Sequence, residues 1–183
     1  KNVPLVFTLG AANGLRSAEQ PIAEGSAIAP TLNQADINFY NDELVRLAKS
    51  KGIFGLQLDE RRVANKATLK KTKNSVKRSI IMHYRSELLW HQIQHIVEVL
   101  DKAGLFAWDC LAIGSDFDGI IDPLNAFWTA EELPYLSDFL ERHAYNYMKN
   151  ASFAVPQNQI DADEVVERIM SKNGMEFLKK NFV

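Results

Sequence analysis

Apolar positions follow two different periods along this 183-residue chain. Leu5-Val6-Phe7-Thr8, Ile53-Phe54-Gly55-Leu56-Gln57-Leu58 and Leu111-Ala112-Ile113 are short apolar runs bounded by glycine or polar residues, a pattern that predicts three buried strands. Between and after them the spacing becomes helical. Asn41 is placed to cap a helix through Leu44, Val45, Leu47 and Ala48, with Lys49 and Lys51 in the last turn and Gly52 beyond. Ser86 is placed to cap a longer one from Glu87 to about Ala103, striped by Trp90, Ile93, Ile96, Val97 and Leu100 and ended by Gly104. Thr129 with Glu132 forms a capping-box signature, and Pro134 opens a helix through Leu136, Leu140, Ala144 and Met148. Asp161 and Glu164 repeat that signature for a helix ending at Asn173-Gly174, with a last short helix from Met175 to Phe182. Residues 15–40 read as a long loop and residues 151–160 as a polar linker. Strands alternating with helices predict an α/β fold.

The third strand carries the densest chemistry. Its apolar run ends in Asp116 and Asp118, with Gly114 and Gly119 on either side. Polar side chains at the C-terminal ends of parallel strands face the ligand crevice of α/β folds, which places Asp116 where catalytic carboxylates are found. Continued extended backbone would point Asp118 the same way and Phe117 away. Asp59-Glu60-Arg61-Arg62 follows the second strand at the same end, either facing the site or forming a solvated loop. From Arg61 to Arg85 there are nine Lys or Arg and no Asp or Glu, a local excess able to hold an anionic group but expected as a solvated excursion. His91 and His95 lie four apart with Glu98 beyond, but the zinc-protease pattern needs Glu where Gln92 stands, and Lys102 on that face suits solvent. His143 reads as a partly buried surface histidine.

Composition narrows the class. A net charge of −2 and a pI near 6.1 argue against general nucleic-acid binding. No apolar run approaches the roughly 20 residues of a membrane-spanning helix. The single Cys110, expected as a buried thiol, allows no intrachain disulfide and leaves the compartment unspecified. Lys1-Asn2 shows neither initiator Met nor signal pattern, so the chain is expected to begin inside a longer domain.

Gly114-Ser115-Asp116-Phe117-Asp118-Gly119 resembles the last-strand motif of the renal or membrane dipeptidase family, dizinc amidohydrolases built on a (β/α)8 barrel. Gln92-Ile93-Gln94-His95-Ile96-Val97-Glu98-Val99 is similar to the helix before that strand, Ile53 to Leu58 to the seventh strand, and Gly174 to Phe182 to the closing phrase. The resemblance implies that residues 1–183 are the C-terminal portion of one TIM-barrel domain, about its last three strands with their helices and C-terminal helices. It also implies a missing N-terminal half, or a second copy of the chain, as partner. The implied activity is metal-dependent hydrolysis of dipeptides or related small amides, with two zinc ions as cofactor. Most of the family's zinc ligands, a His-x-Asp pair, a bridging Glu and a further His, have no counterpart here. Pro4 to Gly10 matches a strand whose end supplies another zinc-binding His, and Leu9 stands at that position. This chain alone is therefore expected to hold no zinc and to be inactive. By the same resemblance Asp116 is the proton-transferring catalytic residue, while Arg16, the only arginine between Gly10 and Arg46, and Asp118 are the substrate-binding candidates. The alternative is a degenerate barrel serving as scaffold or binding module. A third reading takes Asp116-Phe117-Asp118-Gly119 as similar to the nucleophile motif of haloacid-dehalogenase-type phosphatases, although Ile120 stands where that motif has Thr.

Overall fold

Ile53 to Leu56 contains no polar side chain, and this run becomes the middle strand of the sheet. In the computed structural model, which describes residues 3–71 and 76–182, three parallel strands lie in the order β1 (Val6–Gly10), β2 (Ile53–Leu56), β3 (Leu111–Ile113). The connection from β1 to β2 carries α1 (Asn41–Lys49), and that from β2 to β3 carries α2 (Glu60–Val63), α3 (Lys66–Lys71) and α4 (Arg78–Lys102). After β3 come α5 (Leu133–Met148), α6 (Ala162–Glu167) and α7 (Asn173–Phe182). The fold is α/β, as the alternating pattern predicts. Residues 72–75, in the middle of the basic run, lie outside the described residues.

Phe54, Leu56 and Leu58 are fully buried in one cluster with Leu89, Ile93, Ile96 and Leu100 of α4, and α5 packs on α4 in turn. Apolar residues of α4 at helical spacing thus supply the inner surface, and burying each contributes roughly 1.5–3 kcal/mol. β1 changes register between Phe7 and Gly10, and this irregularity brings the Thr8 carbonyl over Gly55 and Gly114. A Cβ at either glycine would collide with that carbonyl, so the close approach of three strand ends requires both.

Several boundaries depart from the expected ones. α4 begins at Arg78, eight positions before Ser86. Ser86 does not cap; its hydroxyl donates back to the His83 carbonyl at 2.8 Å, the bond a serine makes inside a helix. Tyr40, not Asn41, is the cap of α1, its N–H bonded to Glu43 Oε2 at 2.9 Å. Asn173-Gly174 does not end a helix, because a π-helical stretch, Arg168–Lys172, joins α6 to α7. Asn173 instead turns inward and donates to the Trp108 and Leu111 carbonyls. The polar linker at 151–160 is pinned by fully buried Asn158, which bonds Asp101, Leu105, Ala107 and the Trp108 indole.

His95 and His143 are both buried, correcting the solvent-facing and surface expectations. His143 packs against α4 with Nε2 at 3.0 Å from the Ser86 hydroxyl. His95 lies between the Ser26 hydroxyl at Nδ1, 2.6 Å, and Asn41 Oδ1 at Nε2, 2.8 Å. Asn41 spends its amide N–H on the Glu24 carbonyl, so its oxygen faces the ring and Nε2 must donate; Nδ1 then accepts from Ser26. Protonating Nδ1 would require the Ser26 hydroxyl to turn and accept instead. Burial, reinforced by Lys102, pushes His95 down from 6.5 to about 4. The unfolded chain therefore binds the extra proton first, and the contribution of His95 is complete above pH 6.5 and lost as pH falls toward 4. Urea midpoints between pH 7 and pH 4 are expected to record a loss of about 2–3 kcal/mol from this residue, flattened in His95→Gln. A wild-type profile no steeper than the variant's would contradict it.

β1 forms one edge of the sheet, and Leu5, Val6 and Leu9 are each more than two-fifths exposed there. An uncharged apolar edge invites pairing. Light scattering on the chain alone is expected to show concentration-dependent association; a stable monomer at every concentration would contradict this.

Candidate functional site

The three loops leaving the C-terminal ends of the strands are bonded to one another. From the β2 loop, Asp59 accepts from the Arg61 N–H at 2.8 Å and pairs with its guanidinium at 2.7 Å, capping α2. Glu60 is buried, meets Arg85 of α4 at 2.9 Å and accepts the Asn125 N–H at 2.9 Å. Its own N–H reaches the Asp122 carbonyl, and the Leu124 N–H reaches the Leu58 carbonyl, so the β3 loop is laced to the β2 loop. The β1 loop joins through Asn33, which donates to the Arg61 carbonyl, and through Asn38, which donates to the Arg62 carbonyl and accepts from Arg62 Nε at 2.6 Å. Buried Gln92 ties Ala12 to Val63. Asp59 and Glu60 thus form a buried brace, and the solvated alternative for them falls away.

Asp116 stands on this platform. Its φ of 61° is left-handed, a region that aspartate enters more readily than most residues with a Cβ. The Gly119 and Ile120 N–H groups both bond to the Asp116 carbonyl, closing a turn directly behind the acid. A Cβ at Gly119 would lie 2.5 Å from Asp116 Oδ1, so a side chain there would displace the carboxylate. The same turn ends the extended backbone, so Asp118 does not share the direction of Asp116; it is exposed.

Gln57, one residue past β2, donates from Nε2 to Asp116 Oδ2 at 2.9 Å. Gln57 is buried and its Oε1 has no hydrogen-bond partner. The Arg62 guanidinium bonds Asn38 Oδ1 and the Ile37 carbonyl; burial pushes it below the usual value, while Asp59 and, less strongly, Asp116 draw it back. The structure keeps Arg16 elsewhere. Its guanidinium forms a bidentate, exposed pair with Glu24 at 2.7–2.8 Å and bonds Gln20. Sequence reasoning passed over Gln57, although it is the lone polar side chain in an apolar strand run, and gave Arg62 no individual role.

Two zinc ions do not fit the residues present. Leu9 has no lone pair to donate, and among the described residues no group of three or more His, Cys, Asp and Glu is placed to hold a metal ion. Buried Cys110 has its thiol pushed up to about 12 by burial, which keeps it protonated. Among the described residues, no helix is long and apolar enough to cross a membrane. No family model, no curated protein and no solved structure matches this chain.

Proposed function

We propose that the chain is the C-terminal part of a dipeptidase-like amide hydrolase to which it contributes the acid–base carboxylate, and that it is inactive alone. The observation that carries this reading is Asp116, an aspartate held in left-handed backbone at the tips of parallel strands and fixed by a buried amide. Sequential parallel order and the uncovered β1 edge support a partial barrel whose remaining strands would lie beyond β1. In such a site Asp116 takes a proton from the attacking water and returns it to the leaving amine nitrogen, while Arg62 supplies nearby positive charge. Metal-binding groups would have to come from outside residues 1–183.

Leu9, exposed at the end of β1, favours a second reading in which the barrel is a scaffold or binding module. Isolating the natural protein with an antibody to this chain separates the two. A mass well above 20.7 kDa together with dipeptide hydrolysis supports the first reading. The larger mass without hydrolysis supports the second, and a natural product of 20.7 kDa that stays monomeric overturns the partial barrel.

A further inference from the structure

Gln57 uses only half of its amide. Nε2 donates to Asp116 Oδ2, the backbone N–H is held by the Gly10 carbonyl at 2.9 Å, and only 7% of the residue is exposed. Oε1, although buried, meets no donor. Native proteins retain few such atoms, and one directly beside an acid at a site asks for a reason.

The reason lies in what each end of the amide can do. While Asp116 is ionised it can only accept, so Nε2 must face it; turning Oε1 inward would set two acceptors together. With a proton on Oδ2 the preference reverses, because the acid O–H can now donate and Oε1 is the end that accepts. The terminal torsion of glutamine is broad and nearly two-fold, so turning the amide over leaves its aliphatic stem in place. The free end exchanges with the engaged end, and the bond to Asp116 survives in both states.

We propose that Gln57 is the positioning residue for Asp116 and remains bonded to it through proton uptake and release by turning its amide over. This rests on the acid–base reading of Asp116 given above. The proton leaves the attacking water, resides on Oδ2 while the O–H donates to Oε1, and passes to the leaving nitrogen; Nε2 then returns to the carboxylate. No covalent bond to Gln57 forms or breaks. A glutamine suits this task because a lysine or arginine could only donate and a glutamate would repel the ionised acid. Two backbone hydrogen bonds to the Asp116 carbonyl close the turn, so the backbone of the acid is held while the amide moves. Of the charged groups, Arg62 feels the charge of Asp116, Asp59, two residues beyond Gln57, is paired with Arg61, and Asp118 and Asp122 follow Asp116 on its own loop.

The side-chain amide of Gln57 in ¹⁵N-labelled chain reads the proposal without substrate or metal. Its NH₂ signals, assigned by their loss in Gln57→Leu, are followed through an acid titration together with the Asp116 carboxyl carbon. They are expected to move with the same midpoint as that carbon, and to become insensitive to pH in Asp116→Asn. Signals that stay still in the wild type, or that titrate equally in Asp116→Asn, would overturn it, the second outcome assigning the effect to Asp118, Asp122 or Asp59. Should Gln57→Leu fail to fold, Gln57→Met, with an unbranched stem and no amide, provides the assignment. A coupled amide in a natural protein without peptidase activity overturns the hydrolase reading alone. An active hydrolase with a silent amide overturns this one alone.

Discussion

Replacing Arg85 by leucine is expected to remove about 3–5 kcal/mol of stability, the cost of leaving a buried charge without its counter-charge. Arg85 and Glu60 are each more than nine-tenths buried and meet at 2.9 Å, and Glu60 also holds the Asn125 N–H. With Arg85 gone, the Glu60 carboxylate is left buried with the Asn125 N–H but without its counter-charge. Replacing both partners, as in Glu60→Met with Arg85→Leu, should recover much of the loss, since no lone charge then remains inside. Chemical denaturation of the three variants checks this. Equal loss in Arg85→Leu and the double variant would mean that the stranded Glu60 charge is not the source of the loss.

On the proposed hydrolase reading, Asp116→Asn in the complete protein is expected to lower turnover by roughly 10²–10⁴, the usual contribution of general acid–base catalysis. The substitution keeps size and can keep a bond to Gln57, so melting should change little. The effect would belong in turnover more than in substrate affinity, because on that reading the carboxylate acts on the transferred proton. Asp118→Asn should be near neutral, since Asp118 is exposed and the turn has taken it off the direction of Asp116. Steady-state kinetics on dipeptides for both variants decides the assignment. If Asp118→Asn abolished turnover and Asp116→Asn did not, the site would be centred on the wrong carboxylate.

Neighbours at short range explain most of what could be read in advance. Thr129 and Glu132 are three apart, and their capping box forms as expected, with Glu132 Oε2 accepting the Thr129 N–H at 2.8 Å. Pro134 stands in the first turn of α5, and Cys110 is buried. Reading failed where a side chain had two good local uses. Ser86 and Asn41 are both strong capping types, yet each serves a histidine brought by another segment, His143 and His95. Asn173-Gly174 has the look of a helix end, but the carbonyls of Trp108 and Leu111 claim Asn173 and the helix runs on.

The sequence by itself determined the three strands, their α/β setting and the acid at the tip of the third, because period, glycine placement and apolar runs act over a few residues. Only the tertiary structure decided which polar groups meet. Gln57 and Asp116 are 59 residues apart, and Arg16, chosen as the only arginine in its stretch, spends its charge on Glu24 while Arg62 stands near the acid. The direction of Asp118 was also out of reach, since one left-handed residue at Asp116 turns the chain and no period records it. Such pairings depend on where the strands and loops come together in space, and two residues at that distance in the chain leave no local pattern that names the other.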